Sequence, residues 1–394
     1  MSQTDVVFLS GARTPIGSFG GALKDVPPTA LGAHAAKAAI ARAGVAPEDI
    51  GHTVFGNVIH TEPRDMYISR VAAMEAGVPK EVPAMTVNRL CGSGLQAIVN
   101  AAQLIKLGDA SIALAGGAES MSRGGYLMPH ARWGQRMGNT AAVDMMVGVL
   151  TDPFGHGHMG VTAENVSERY QISREEQDET AVESHQRAAQ AVAAGIFVEQ
   201  IAPVEVASRK GPVMFDTDEH FRIDARLADM AKLRPMFKKD GTVTAGNASG
   251  INDGAAAVVL ADAGEASKRG LAPLARLVSY GIAGVDPSEM GMGPVPAVLA
   301  ALKKAGLSVG DIDVIESNEA FAAQACAVSR ALGFDPAKVN PNGGAIALGH
   351  PVGATGAILA IKTIYELRRS GCRYGLITMC IGGGQGIAMI VERL

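Results

Sequence analysis

Two cysteines and one histidine of this chain sit in glycine frames that suit catalysis. Cys91 lies in Val87-Asn88-Arg89-Leu90-Cys91-Gly92-Ser93-Gly94, and Leu95, Ile98, Ala102 and Ile105 then follow helical spacing. The spacing predicts a thiol at a helix N-terminus. Free N–H groups and the dipole there favour an anion and lower a thiol below its usual pKa of about 8.5. Gly92 and Gly94 would let a substrate carbonyl approach the backbone. Cys380 follows the strand-like run Leu376 to Met379 and precedes Gly382-Gly383-Gly384-Gln385-Gly386. A glycine run after a strand presents N–H donors, as an oxyanion hole or a phosphate cradle requires. His350 stands in Asn342-Gly343-Gly344-Ala345-Ile346-Ala347-Leu348-Gly349-His350-Pro351, and an imidazole there can serve as the base that activates a thiol. One thiol as nucleophile, the imidazole as its base and the second thiol as a separate acid/base would make a thioester and then move a proton on carbon.

Each residue also has a plainer reading. Cys91 could be a buried cysteine at a strand–helix junction, and Cys380 could belong to a tight helix–sheet contact. Asn318, in Asn318-Glu319-Ala320-Phe321 after Val314-Ile315, could orient a water or the imidazole, or simply cap a helix. Ile387 occupies the place of the third glycine in GxGxxG, and no GxxxxGK[ST] occurs, so no nucleotide fingerprint is present. His156 and His158 form an HxH pair with no carboxylate or cysteine nearby in sequence, which favours a pocket or loop role and no metal. Cys326 reads as helix core, and Cys372 as a strand-edge residue without a role.

The elements that must position these groups repeat. Gly44 and Gly306 end helical patterns, Asp49-Ile50 and Asp311-Ile312 lead into strands, and both pairs lie 262 residues apart. Val87-Asn88 before the Cys91 loop matches Val339-Asn340 before the His350 loop. Ile112 to Ala115 running into Gly116-Gly117 matches Leu376 to Met379 running up to Gly382-Gly383. Each half reads as an α/β unit with buried apolar strands, among them Val6 to Leu9, Thr53 to Phe55 and Ile112 to Ala115. Two such units would pair about a pseudo-twofold axis and bring loops from both to one cleft. The middle, about 121–250, has no counterpart and reads as an insertion over the cleft. It holds a helix from Ser173 to Ala194, capped by Ser173 and ended by Gly195.

With 394 residues the chain has room for two or three domains. A net charge of −4 and no basic run beyond short pairs such as Lys238-Lys239 give no sign of a polyanion partner. The chain has 48 glycines, and they are dense at 241–254, 342–356 and 381–386, as close backbone approaches are. Met1-Ser2-Gln3-Thr4-Asp5 lacks the basic segment of a signal peptide, and no apolar run approaches the roughly 20 residues of a membrane span. Four cysteines without CxxC spacing argue against a disulfide framework or a cysteine zinc site. A reducing cytoplasm is the expected location.

These motifs, with Gly241 to Gly254 (Gly-Thr-Val-Thr-Ala-Gly-Asn-Ala-Ser-Gly-Ile-Asn-Asp-Gly), make the chain resemble the thiolases along its full length. Within them it is similar to bacterial biosynthetic acetyl-CoA acetyltransferases. Thr61 to Tyr67 looks like the β-ketothiolase of polyhydroxyalkanoate-making bacteria, which accepts acyl groups longer than acetyl. The resemblance implies a layered αβαβα fold: 1–120 plus 251–271 as one half, 272–394 as the other, and 121–250 as an inserted loop domain. It implies reversible Claisen condensation of acyl-CoA with acetyl-CoA, with coenzyme A as substrate and no permanently bound cofactor. Cys91 would carry the acyl group, His350 would activate it and Cys380 would take the α-proton. An Asn318-held water with His350 would form one oxyanion hole, and the N–H groups of Cys91 and Gly382 the other. His158 and Met159 would line the pocket near the acyl group and pantetheine. Arg222, Ala245, Gly246 and Ser249 would contact coenzyme A, and Met290, Met292 and Phe321 are candidate acyl-pocket residues. Asp229 stands where the family often has serine and is left out of the site. A homotetramer built from tight dimers is implied. A degradative 3-ketoacyl-CoA thiolase and a ketoacyl synthase are the rival readings; the synthase needs no second catalytic thiol. A catalytically silent acyl-CoA carrier is a third.

Overall fold

The computed structural model describes residues 5–394; Met1 to Thr4, part of the segment read for a signal peptide, lie outside the described residues. Nine main strands are β1 (Val6–Arg13), β2 (His52–Gly56), β3 (Ala84–Val87), β4 (Ile112–Ser120), β5 (Asn252–Asp262), β6 (Ala275–Gly284), β7 (Val314–Ser317), β8 (Tyr374–Ile381) and β9 (Gln385–Arg393). Eight main helices are α1 (Pro28–Ala43), α2 (Ile68–Glu75), α3 (Ser93–Leu107), α4 (Met159–Arg169), α5 (Arg174–Ala193), α6 (Pro294–Ala305), α7 (Ala322–Leu332) and α8 (Val352–Ser370). The strands run β7-β8-β9-β6-β1-β5-β4-β2-β3.

That order is the duplication made visible. In the N-half β2 pairs in parallel with β3 and β4, and β5 runs antiparallel to β4 and β1. In the C-half β7 pairs in parallel with β8, and β9 runs antiparallel to β8 and β6. The counterpart of β3 is reduced to one parallel bridge, Ile315 with Val339, at the Val339-Asn340 anchor. The halves meet where β1 and β6 pair at Val7–Arg276 and Phe8–Ala275, so the two half-sheets join edge to edge. Each of these central strands has a register break, at Phe8/Ser10 and at Leu277/Ser279. The serine after each break donates to a helix carbonyl, Ser10 to Ala39 at 2.6 Å and Ser279 to Ala301 at 2.8 Å. Ala39 and Ala301 are equivalent under the 262-residue offset.

Alternation along the strands builds the layers. Val6 and Phe8 of β1, and Ile387 and Met389 of β9, join one central cluster with α3 and α8. Val7 and Leu9 face α1 and α2 on the outer side, while Ala388 and Ile390 face α6 and α7. Strands buried on both faces read as continuous apolar runs, as these do. Helix α8 is buried from Val352 to Ile364, and its sequence is correspondingly apolar on nearly all sides. α3 and α8 approach closely because glycines face each other. A Cβ at Gly94 would lie 2.8 Å from the Ala357 nitrogen, and one at Gly356 would lie 2.3 Å from that of Leu95. That contact sets the start of α3, with Cys91, beside the start of α8, with His350.

The insertion contains the expected helix. Ser173 caps α5, accepting from the Glu176 N–H at 3.1 Å, and Gly195 takes a φ of +70°. Helix α7 starts at Ala322, because Phe321 is extended and bridges Ala248. A buried fork ties the insertion to the N-half: Arg13 Nη1 and Nη2 meet Asp218 Oδ1 and Oδ2 at 2.7 and 2.9 Å. Among the described residues no helix is long and apolar enough to cross a membrane.

Candidate active site

Cys91, His350, Cys380 and Gly382 line one inner cavity of about 50 Å³ with Met159, Ser249, Met290 and Phe321. It adjoins an outer chamber of about 400 Å³, lined by His158, Phe237, Ala245, Ala248 and Ser249; His350, Phe321 and Ser249 belong to both. Cys91, His350, Cys380 and Gly382 therefore converge, with residues from both halves and the insertion, whereas Asn318 lines neither cavity. Another cavity, about 350 Å³, contains Cys326 and Arg330 but no residue of the Cys91, His350 or Cys380 loops.

The Cys91 turn is tight. Leu90 takes a φ of +46°, a region costly for leucine. The Ser93 hydroxyl accepts from the Arg89 N–H and donates to the Leu90 carbonyl, and Asn88 accepts from the Leu90 N–H. Two expectations change here. Gly92 and Gly94 are required by the protein's own packing: a Cβ on Gly92 would sit 2.5 Å from Ile381 Cδ1, and Gly94 lies against α8. Nor is the thiol lowered. The N–H groups of Gly92 and Ser93 are already given to the Arg89 and Leu90 carbonyls, so this helix end has less to offer a sulfur. Burial pushes the Cys91 thiol up to about 11, against the pull of the Gly382 and Cys91 N–H groups and with a push from Glu119. Burial and the adjacent Cys91 also push the Cys380 thiol up.

His350 is held on two sides. Its N–H donates to Asn252 Oδ1 at 2.9 Å, and its ring Nδ1 lies 2.7 Å from Thr355 Oγ1. Nε2 is buried and makes no hydrogen bond to the protein, and burial holds the ring down to about 4. Asn318 follows β7 and gives its N–H to the Thr378 carbonyl at 2.9 Å. Both ends of its buried side-chain amide are without protein partners, which suits a water or a substrate oxygen better than a helix cap. The loop before β5 docks on the next residues: Ser249 N–H donates to the Ala320 carbonyl and Ala322 N–H to that of Asn247.

His158 caps α4, its Nδ1 accepting from the Gly160 N–H at 3.0 Å, and its ring stacks on Phe237 at 4.7 Å. Burial lowers its pKa. Ala245 lines the outer chamber; Gly246 lies beside it against Leu233 and Met230. Arg222 is exposed, outside both cavities, and its backbone N–H donates to His185 Nδ1. Asp229 is exposed and paired with Lys232 at 2.8 Å. Met292 does not reach the cavity; it packs with Val166 and Val298 in the outer C-half layer. Cys372 lies in the turn before β8.

Sequence reasoning missed Glu119, Asn252, Thr355 and Phe237. Glu119 is fully buried, and its oxygens accept from Asn57 Nδ2 and the N–H groups of Val58, Ile59 and Gly353 at 2.9 to 3.1 Å. Burial pushes its pKa up to about 8. Four N–H donors nevertheless fill both oxygens, an arrangement that suits the carboxylate and wastes a donor on the acid. The signal was available: Glu119 is the lone charge in an otherwise apolar strand.

Comparison with known proteins agrees with this geometry. Residues 6–264 match the family description "Thiolase, N-terminal domain" and residues 271–393 match "Thiolase, C-terminal domain". The chain is 66% identical to the beta-ketothiolase BktB of Cupriavidus necator over 99% of each chain. It is 51% identical to an acetyl-CoA acetyltransferase of Syntrophomonas wolfei, again over 99% of each. The human mitochondrial 3-ketoacyl-CoA thiolase solved in complex with CoA superposes with a TM-score of 0.97 at 46% identity, covering 100% of this chain and 98% of that one.

Proposed function

The chain belongs to the thiolase family, and from that premise we propose a division of labour between its two active-site sulfurs. The protein is an acyltransferase, a β-ketothiolase that condenses acyl-CoA with acetyl-CoA and runs the reverse CoA-dependent thiolysis. The observation that carries the assignment of roles is the single cavity shared by Cys91, Cys380, Gly382 and His350.

In the first half-reaction the Cys91 proton passes to His350 as the sulfur attacks the acyl carbonyl. The N–H groups of Cys91 and Gly382 receive the oxyanion. Coenzyme A departs with the proton of Cys380, which becomes a thiolate. In the second, that thiolate takes the α-proton of acetyl-CoA. The enolate oxygen is met by a water on Asn318 and by protonated His350. The enolate carbon attacks acyl-Cys91, 3-ketoacyl-CoA leaves, and the Cys91 thiolate recovers its proton from His350. Burial keeps Cys380 protonated in the empty site, so its thiolate forms only as the departing CoA sulfur takes its proton.

Ala245, Gly246 and Ser249 with His158 serve the pantetheine arm, and Arg222 the charged end of coenzyme A. Residues 1–120 plus 251–271 and 272–394 act as the catalytic halves, with 121–250 as their cap. Met159, Met290 and Phe321 form an adaptable acyl pocket, so 3-ketovaleryl-CoA is a substrate beside acetoacetyl-CoA. Coenzyme A is a substrate and no cofactor stays bound. A cytoplasmic homotetramer in polyhydroxyalkanoate biosynthesis is the setting that fits these readings. Exposed Tyr126, Trp133, Met137 and Val143 in the insertion supply the apolar surface that tetramer contacts would cover.

The test is to mix the protein with acetoacetyl-CoA and CoA and follow the enolate absorbance. The reading requires the absorbance to fall and two acetyl-CoA to form, with turnover also on 3-ketovaleryl-CoA. Binding without turnover would mark a carrier, and dependence on a malonyl donor would mark a synthase.

A further inference from the structure

We infer that Thr355 is a positioning residue that fixes the proton of His350 on Nδ1 and so turns the bare Nε2 toward the reacting sulfur. The inference rests on His350 being the base. A neutral imidazole has one N–H and one lone pair, and a base must present the lone pair to the proton it takes. Nothing in the sequence marks Thr355, which stands five residues after the histidine, one turn into α8.

The hydrogen bonds favour one tautomer. Thr355 Oγ1 lies 2.9 Å from the Pro351 carbonyl, and that carbonyl can only accept. With its single proton given to that carbonyl, the hydroxyl faces His350 Nδ1, at 2.7 Å, with a lone pair, and Nδ1 is the donor. Nε2 is left without a proton and without a protein partner, in a ring that lines the cavity with Cys91 and Cys380. Asn252 fixes the backbone of the same residue through its N–H. The orienting partner is a neutral hydroxyl, so it sets direction without the charge that would hold a proton on the ring. A base built this way takes the Cys91 proton only as the sulfur attacks, and returns it readily.

The experiment compares full-length Thr355→Val, which keeps shape and loses the hydroxyl, with Thr355→Ser, which keeps the hydroxyl. Steady-state thiolysis of acetoacetyl-CoA, thermal melting and nitrogen-15 NMR of labelled His350 are recorded for each. Thr355→Val should lower kcat by roughly 10²–10⁴-fold, the range for losing a positioned base, with KM within about twofold. Its ring proton should move from Nδ1 toward Nε2. Thr355→Ser should stay within about threefold of the parent and keep the Nδ1 proton. A Thr355→Val enzyme with parental kcat, or a parent whose His350 already carries its proton on Nε2, would overturn the inference, and the NMR result stands even if a variant melts early. A His350→Ala enzyme with undiminished kcat would instead remove the base assignment beneath it.

Discussion

The resting site should hold a neutral thiol and a neutral imidazole, and the pH dependence of Cys91 alkylation reads this out. Burial sets the thiol near 11 and the imidazole near 4. Moving the proton between them in the empty pocket crosses about seven pH units, roughly 9–10 kcal/mol at about 1.4 kcal/mol per unit. Attraction between the two charges at contact distance would return only about 4 kcal/mol, so the neutral pair is favoured and proton transfer accompanies attack. At pH 7.5 a thiol of pKa 11 is about 0.03% ionised, against about 10% for an ordinary cysteine, a deficit of roughly 300-fold. The greater nucleophilicity of the more basic sulfur recovers about tenfold, given a Brønsted coefficient of about 0.4–0.5. Iodoacetamide, followed by mass spectrometry of the Cys91 peptide, should therefore react about 30-fold more slowly than with free cysteine. Its rate should climb tenfold per unit from pH 6 to pH 10, and His350→Ala should leave the profile unchanged. A plateau reached by pH 8, abolished in His350→Ala, would establish an ion pair and refute the reasoning.

Asn318→Ala removes the residue proposed to hold the water that meets the enolate and should lower condensation kcat by about 10²–10³-fold, with acylation of Cys91 within a few-fold; rapid-quench acylation beside steady-state condensation checks both. Asp218→Asn strands the buried guanidinium of Arg13 and should cost about 3–5 kcal/mol in urea unfolding, because an uncompensated charge remains inside the fold. His350 and His185 are both held near 4 by burial, so between about pH 6.5 and 4 the unfolded chain binds more protons than the native one. Stability from this source is complete above pH 6.5 and falls as pH drops toward 4. The loss is on the order of 3 kcal/mol per histidine and is read from urea midpoints across that range.

The duplication was legible because it left apolar runs and glycine stops at a fixed offset, and those are period and backbone signals. The matched pair Ser10–Ala39 and Ser279–Ala301 was not, since one hydroxyl after a register break has no periodicity to betray it. The candidate site residues stood out as glycine-framed cysteines and histidine. What those glycines do was misread: Gly92 and Gly94 make room for Ile381 and α8, which sequence distance conceals. The thiol's ionisation was misread for a related reason. A helix start can be read from spacing, but burial depends on which residues from elsewhere close over it. Met290 and Met292 are two residues apart in a short turn, and only the fold decides that one enters the cavity and the other the outer layer.

The claim that one sulfur carries the acyl group while the other moves the proton is tested most directly with Cys380→Ala and radiolabelled acetyl-CoA. The account predicts label on the Cys91 peptide, approaching one acetyl per chain, with no acetoacetyl-CoA formed. Normal acetoacetyl-CoA production by this variant, or label absent from Cys91 while turnover continues in the parent, would contradict it.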